Sequence, residues 1–288
     1  MKKVLSIIVS YNFEPWLDKC LQSLLSSSYP TDIMVIDNAS KDRTVPLLKE
    51  KYPSVILLES PTNLGFGKAN NMGMEYALRH GYDFVFLVNQ DAWIDKDCIK
   101  HLITCPAADY ALLSPVHYDG TEKALDKGFR EYIKQHYPLK EKTTKVNFVN
   151  AAFWFIATAT LRKVGLFSPI FYHYGEDKDF ANRLRFHNID ILVVNDALAY
   201  HDRQNREAPA GINFKGEFVY HLTEFCNINY RGTTAFAKAV LACLKKAGQQ
   251  LSKGKAKAAY RYIRIAGQLS VKTQQVIKTR KENKKINN

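Results

Sequence analysis

Four short apolar runs, residues 4–9, 33–36, 54–59 and 83–88, recur through the first third of the chain with helical patterns between them. Runs this short, dominated by Val, Ile, Leu and Phe, read as buried strands. Strand alternating with helix leaves few folds besides a parallel sheet with right-handed crossovers. The helices are expected over 15–25, where Leu17, Leu21, Leu24 and Leu25 share a face, over 45–51 and over 68–79. Polar clusters punctuate this series: Ser10-Tyr11-Asn12, Asp37-Asn38-Ala39-Ser40, the stretch N-L-G-F-G-K-A-N-N from Asn63, and Asn89-Gln90-Asp91. A fifth, Gly175-Glu176-Asp177, lies farther on. Strand ends in an open α/β sheet share one edge, so such groups should converge on a single ligand-binding crevice.

After Asp91 the rhythm changes. A helix capped by Asp95 is expected to about Thr104, a strand over 110–116, irregular polar chain over 119–145, and one or two strands over 147–158. A helix follows over 176–187, then a hairpin-like return over 189–200. From Asn213 the pattern is helical, broken near Ser252-Lys253-Gly254, with 278–288 expected to fray. The fold class is α/β, with a mixed central sheet flanked by helices and a helical C-terminal extension. We divide it into 1–212, with a nucleotide-binding half to about 92 and an acceptor-facing half from about 93, and the extension 213–288.

Composition narrows the function classes. No apolar run reaches the roughly 20 residues of a membrane span, and only six mostly apolar residues separate Met1-Lys2-Lys3 from Ser10, too few for a signal-peptide core. The default expectation is a cytoplasmic location. The five cysteines are scattered without a C-x-x-C pair, which favours reduced, buried thiols over disulfides or a zinc site. Charge is placed unevenly: of 41 basic and 28 acidic side chains, 14 and one lie from Thr234 onward, leaving 27 of each before it.

Several clusters can carry chemistry, each with a plainer alternative. Asp91 should project from a strand end, where one carboxylate suits a divalent cation on a diphosphate; N-Q-D is equally a turn. Asp37 can accept from the imide N–H of a pyrimidine or fasten an Asx-turn. Gly65 and Gly67 can let backbone approach a ligand and Lys68 can face a phosphate, although the G-K-[ST] ending of a Walker loop is missing. Glu176 and Asp177 can simply favour a helix N-terminus. Three acids crowded with Asp179 exceed what a cap needs, and point to a base. His201 is structural, or a metal ligand if the fold brings it to Asp91.

In this order, S-I-I-V-S-Y-N, V-I-D-N-A-S-K-D, N-L-G-F-G-K-A-N-N, L-V-N-Q-D-A and Y-G-E-D-K-D-F-A-N-R-L resemble the family 2 inverting glycosyltransferases of the Rossmann-like GT-A fold, nearest to their rhamnosyltransferase-like branch. The resemblance spans roughly residues 3 to 231. It implies that Ser10, Tyr11 and Asp37 hold the base and ribose of a nucleotide-sugar donor, of dTDP-rhamnose or UDP-hexose type. Asn63, Gly65 and Lys68 would line the donor pocket, with Asn89 and Gln90 beside ribose or sugar. Asp91 and His201 would bind Mg²⁺ or Mn²⁺, Asp177 would be the base, and Glu176 would support it or contact acceptor. Asn89 departs from the pattern, standing where many members have the first metal-site aspartate. The Q-x-x-R-W motif of processive members is absent, so one sugar per encounter is expected.

The acceptor implied is a glycan or lipid-linked hydroxyl in bacterial surface polysaccharide synthesis. The basic tail suits an anionic membrane surface on the cytoplasmic side; a solvated extension or packing in a homodimer is the alternative. No nucleic-acid partner is expected, since Tyr260 and Tyr262 are too few for a stacking platform. A non-catalytic nucleotide-sugar-binding protein is the rival class. Nucleotidyl transfer is disfavoured by the missing G-G-x-G-[ST]-R-type loop.

Overall fold

The computed structural model describes residues 1–139, 141–203 and 211–285. The chain begins β1 (Val4–Ser10), α1 (Leu17–Leu25), β2 (Asp32–Asp37), α2 (Thr44–Lys51), β3 (Ile56–Glu59), α3 (Phe66–Arg79) and β4 (Phe84–Asn89). β1 pairs in parallel with β2 and β4, and β2 with β3. Each helix returns the chain to the same end, so Ser10, Asp37 and Asn89 finish on one edge.

The chain continues through β5 (Ala92–Ile94), α4 (Cys98–Thr104), β6 (Leu112–Asp119), α5 (Lys127–Ile133), β7 (Thr143–Val146), β8 (Phe153–Ala157), α6 (Thr158–Val164), α7 (Glu176–Phe186) and β9 (Ile191–His201). The nine strands form one sheet ordered β3-β2-β1-β4-β8-β6-β9-β5, with β7 on β9. β8 is antiparallel to both β4 and β6, and β6 is parallel to β9. Two reversals restore direction, so β9 also ends on the edge that carries Ser10, Asp37 and Asn89.

Alternation along the inner strands splits the core between the two sheet faces. Phe84, Phe86, Phe153 and Phe155 pack with Leu21 and Leu24 of α1 and Leu102 of α4. Val85, Leu87, Trp154 and Ile156 pack on the other face with Met74 of α3 and with Phe180 and Leu184 of α7. Both faces are covered, which is why these strands read as near-continuous apolar runs.

Three expectations about the sheet and its helices are corrected. The stretch 119–145 is not wholly irregular: Asp126 caps α5 by accepting from Phe129 N at 2.9 Å, and β7 pairs with β9. Both elements are too short and polar to show a period. Residues 189–200 form no hairpin but the single strand β9. Its Asn195-Asp196, which resembles a turn, is absorbed in an irregularity where Pro115 faces Val194 and Val116 faces Leu198. Finally, α4 starts at Cys98 with Asp97 in the capping position, and Asp95 instead accepts from Asp97 N at 2.9 Å.

The C-terminal part is α8 (Phe214–Cys226), α9 (Gly232–Ser252), α10 (Ala256–Val271) and α11 (Thr273–Asn283). These helices share a cluster with Ile170 and Phe171 of the loop before α7, burying Ala259, Tyr262, Ala266, Leu269 and Val276. The expected fraying from Lys278 does not occur through Asn283. Arg280 is buried and donates to the carbonyls of Phe225, Asn227 and Tyr230, tying α11 to the α8–α9 turn; residues 286–288 lie outside the described residues. All five cysteines are buried and free. No described helix is long and apolar enough to cross a membrane.

Candidate functional site

The donor side of the edge is held together by side chains gripping backbone. Ser10 Oγ donates to Asp37 Oδ1 at 3.0 Å, and Ser40 donates to the same carboxylate through Oγ at 2.5 Å and through its backbone N at 3.0 Å. Asp37 therefore does serve as a turn fastener. Three donors still leave a carboxylate room for one more. Asn38 links this turn to the glycine-containing loop: its Nδ2 donates to Asn63 Oδ1 at 3.0 Å and its Oδ1 accepts from Leu64 N at 2.7 Å. Gln90 spends both ends of its amide on Tyr11, accepting from N at 2.7 Å and donating to O at 3.1 Å. That clamp fixes the peptide of Tyr11 and leaves its ring exposed at the edge.

Gly65 makes room for protein, whereas a side chain at Gly67 would meet its neighbours at ordinary contact distance. At Gly65 φ is +80°, and an added Cβ would lie 2.0 Å from the carbonyl oxygen of Tyr172. At Gly67 it would meet Phe167 and Glu176 at 3.4–3.5 Å. The loop expected to approach a ligand thus first admits the segment that carries the acid pair. Tyr172 OH completes the contact by donating to Asn63 O at 3.1 Å. Lys68 is exposed on the first turn of α3.

Helix α7 begins at Gly175, in the left-handed region at φ +89°, where a side chain would strike Val219. The three acids of its first turn have different fates. Asp179 is buried against Arg183 at 3.0 Å, and the same guanidinium donates to Val164 O and Leu166 O, so this acid is structural. Glu176 is 4% exposed, and its Oε2 lacks a hydrogen-bond partner among the described residues. Burial lifts its carboxyl to about 7. Asp177 is half-buried, and burial raises its carboxyl above the aspartate range against the opposing pull of the Lys178 N–H, 2.7 Å from Oδ1.

Asp177 belongs to the same edge as the strand ends. The backbone N–H of Ala151 also stabilises its carboxylate, and the next residue, Ala152, takes the N–H of Asn89 at 3.0 Å. Asp91 and His201 meet close by because β5 pairs with β9, setting Ala92 opposite His201. His201 Nε2 lies 3.1 Å from Asp91 Oδ1 and 3.4 Å from Asn89 Nδ2. Arg203, which sequence reasoning missed, donates from Nε to His201 Nδ1 at 3.0 Å and reaches Asp126 at 3.2 Å. No spacing pattern marks it; only its place two residues past the end of β9 does.

The pair suits a divalent cation in spacing. Ligands about 2.1 Å from an octahedral ion are about 3 Å apart when adjacent, close to the separation seen. Among the described residues no third His, Cys, Asp or Glu completes a metal cluster, so phosphate oxygens and water would fill the shell. With Arg203 donating to Nδ1, a cation held at Nε2 would need the imidazole proton on Nδ1 and Arg203 turned to Asp126.

A mixed α/β sheet flanked by helices, with its parallel strands ending on one edge, is the architecture of the GT-A fold. Residues 6–165, over half of the chain, match the sequence profile of glycosyl transferase family 2, and the protein belongs to that family. It is 28% identical over 198 residues to the low-salt glycan biosynthesis hexosyltransferase Agl10 of Haloferax volcanii, covering 64% of this chain and 62% of that protein. It is 38% identical over 73 residues to an N-acetylglucosaminyl-diphospho-decaprenol L-rhamnosyltransferase of Mycobacterium tuberculosis, covering 25% of this chain and 24% of that one. The chain thus spans less than two thirds of either relative. The crystal structure of Staphylococcus aureus TarS residues 1–349 with UDP-GlcNAc superposes with a TM-score of 0.62 at 17% identity, over 96% of this chain and 83% of the other, a likeness of fold.

Proposed function

We propose that this protein moves one sugar, with inversion, from a nucleotide-sugar donor of dTDP-rhamnose or UDP-hexose type to a hydroxyl of a glycan or lipid-linked acceptor in bacterial surface polysaccharide synthesis. The observation that carries the reading is the gathering of Asp37, Asp91, His201 and Asp177 on one sheet edge from four distant stretches of chain. Asp177 takes the proton of the acceptor hydroxyl as its oxygen bonds to the anomeric carbon, and the bond from that carbon to the diphosphate oxygen breaks. A raised carboxyl makes Asp177 a stronger base once ionised. Glu176, protonated below about pH 7, keeps a second negative charge away from it. Asp91 and His201 would hold Mg²⁺ or Mn²⁺, which when bound supplies charge neutralisation at the diphosphate. A lipid-linked acceptor fits a protein seated at an anionic membrane surface, on the cytoplasmic side, through its basic tail.

The test is Asp177→Asn. It should retain donor binding by calorimetry and lose transfer by roughly 10²–10⁴; unchanged turnover would overturn the assignment. The contact of Arg203 with His201, together with Asn89 in place of an acid, favours one second reading, a protein that binds nucleotide sugar without transferring it. Donor hydrolysis measured with and without Mn²⁺ separates the two.

A further inference from the structure

Helix α9 carries apolar side chains on two faces. It buries Ala235, Ala239, Cys243 and Ala247, packs Phe236 and Val240 against the same cluster, and turns Leu241, Leu244 and Leu251 to solvent. Helix α10 is also apolar on two faces. Its buried face holds Ala259, Tyr262, Ile265, Ala266 and Leu269, while Tyr260, Ile263 and Val271 point outward. The six outward side chains are 45% to 86% exposed. They recur at helical spacing, three to four residues or two turns apart, so each helix carries a second apolar stripe on a face its packing does not use. The inner faces are already filled by Phe236, Val240, Tyr262, Ile265 and Leu269, so packing within this chain gives no use to a second apolar stripe.

The charge beside the stripes identifies what covers them. Lys238 and Lys245 flank the stripe of α9; Lys257, Arg261 and Arg264 flank that of α10, and all five are exposed. From Thr234 onward the only acid is Glu282. A second copy would bring the same positive charge against itself. A duplex or single-stranded nucleic acid would satisfy the charge and leave the leucines in water. An anionic phospholipid surface satisfies both, taking the apolar stripe below the headgroups while Lys and Arg remain among the phosphates. We infer that the α9–α10 hairpin is a membrane-docking surface that inserts Leu241, Leu244, Leu251, Tyr260, Ile263 and Val271 into an anionic leaflet. This deepens the proposed reading of a lipid-linked acceptor, and rests on that reading for its purpose.

Removing the tail cannot test it, because α8 to α11 share a core with Ile170 and Phe171. The full chain is instead sedimented with phosphatidylcholine vesicles, with and without a minority of phosphatidylglycerol, at low and high salt. The unmodified protein should bind only the anionic vesicles, and lose binding as salt rises. Leu241→Ser, Leu244→Ser and Ile263→Ser together should weaken partitioning about 10-fold or more. Lys245→Gln, Lys257→Gln and Arg264→Gln together should weaken it on the order of 100-fold. Both triple variants should keep their melting temperature and donor binding. If either loses stability, the single variants at these exposed positions carry the test. An unmodified protein that ignores anionic vesicles, whether it dimerises or binds nucleic acid instead, overturns the inference. So does a serine variant that binds as tightly as its parent. Binding is scored without turnover, so failure here leaves the transfer reading intact, and an Asp177→Asn variant with full activity leaves this one intact.

Discussion

Glu176→Gln should flatten part of the pH dependence of stability. The amide preserves the shape of the side chain and removes its ionisation. Burial beside Gly67 and Phe167 lifts the carboxyl from its ordinary 4.5 to about 7, so ionising it costs about 3 kcal/mol more in the folded protein than in the unfolded chain. The folded state holds this proton more tightly. Its contribution to stability is therefore fully present below about pH 4.5, declines as pH rises, and is lost once pH passes about 7. Asp177 and Asp179 are raised too, but they titrate in both proteins and largely cancel in the difference. Urea unfolding of the parent and the variant between about pH 4.5 and about pH 8 should show the parent losing about 3 kcal/mol relative to the variant. A difference that stays flat, or grows in the opposite direction, would show that Glu176 ionises like an exposed acid and would refute the argument from burial.

Two further outcomes follow from the same geometry. Asp91→Ala should abolish stimulation by Mn²⁺ and weaken Mn²⁺ binding measured by electron paramagnetic resonance; stimulation equal to the parent's would remove Asp91 from the cation. Gly65→Ala should cost about 1–3 kcal/mol of stability in a denaturant titration, since φ is +80° there and its Cβ would meet the carbonyl of Tyr172; a variant as stable as the parent would show that the Tyr172 loop does not press on this glycine.

The sequence by itself determined that the first four strands run parallel, the edge on which their polar clusters gather, and most of the inner face of α10. These are properties of period and spacing within a few turns of chain, where each residue's neighbours are also its neighbours in sequence. It also offered three acids at the head of α7 without being able to divide their work. Only the fold decided that Asp179 pairs with Arg183, that Glu176 is buried, and that Asp177 is only partly so. Tertiary pairing likewise turned the expected hairpin into β9 and so delivered His201 to Asp91, 110 residues away. It gave Gly65 its purpose through Tyr172 and left the leucines of α9 facing outward. Such outcomes depend on which distant surfaces meet and which groups lose water when they do, and no local pattern records that.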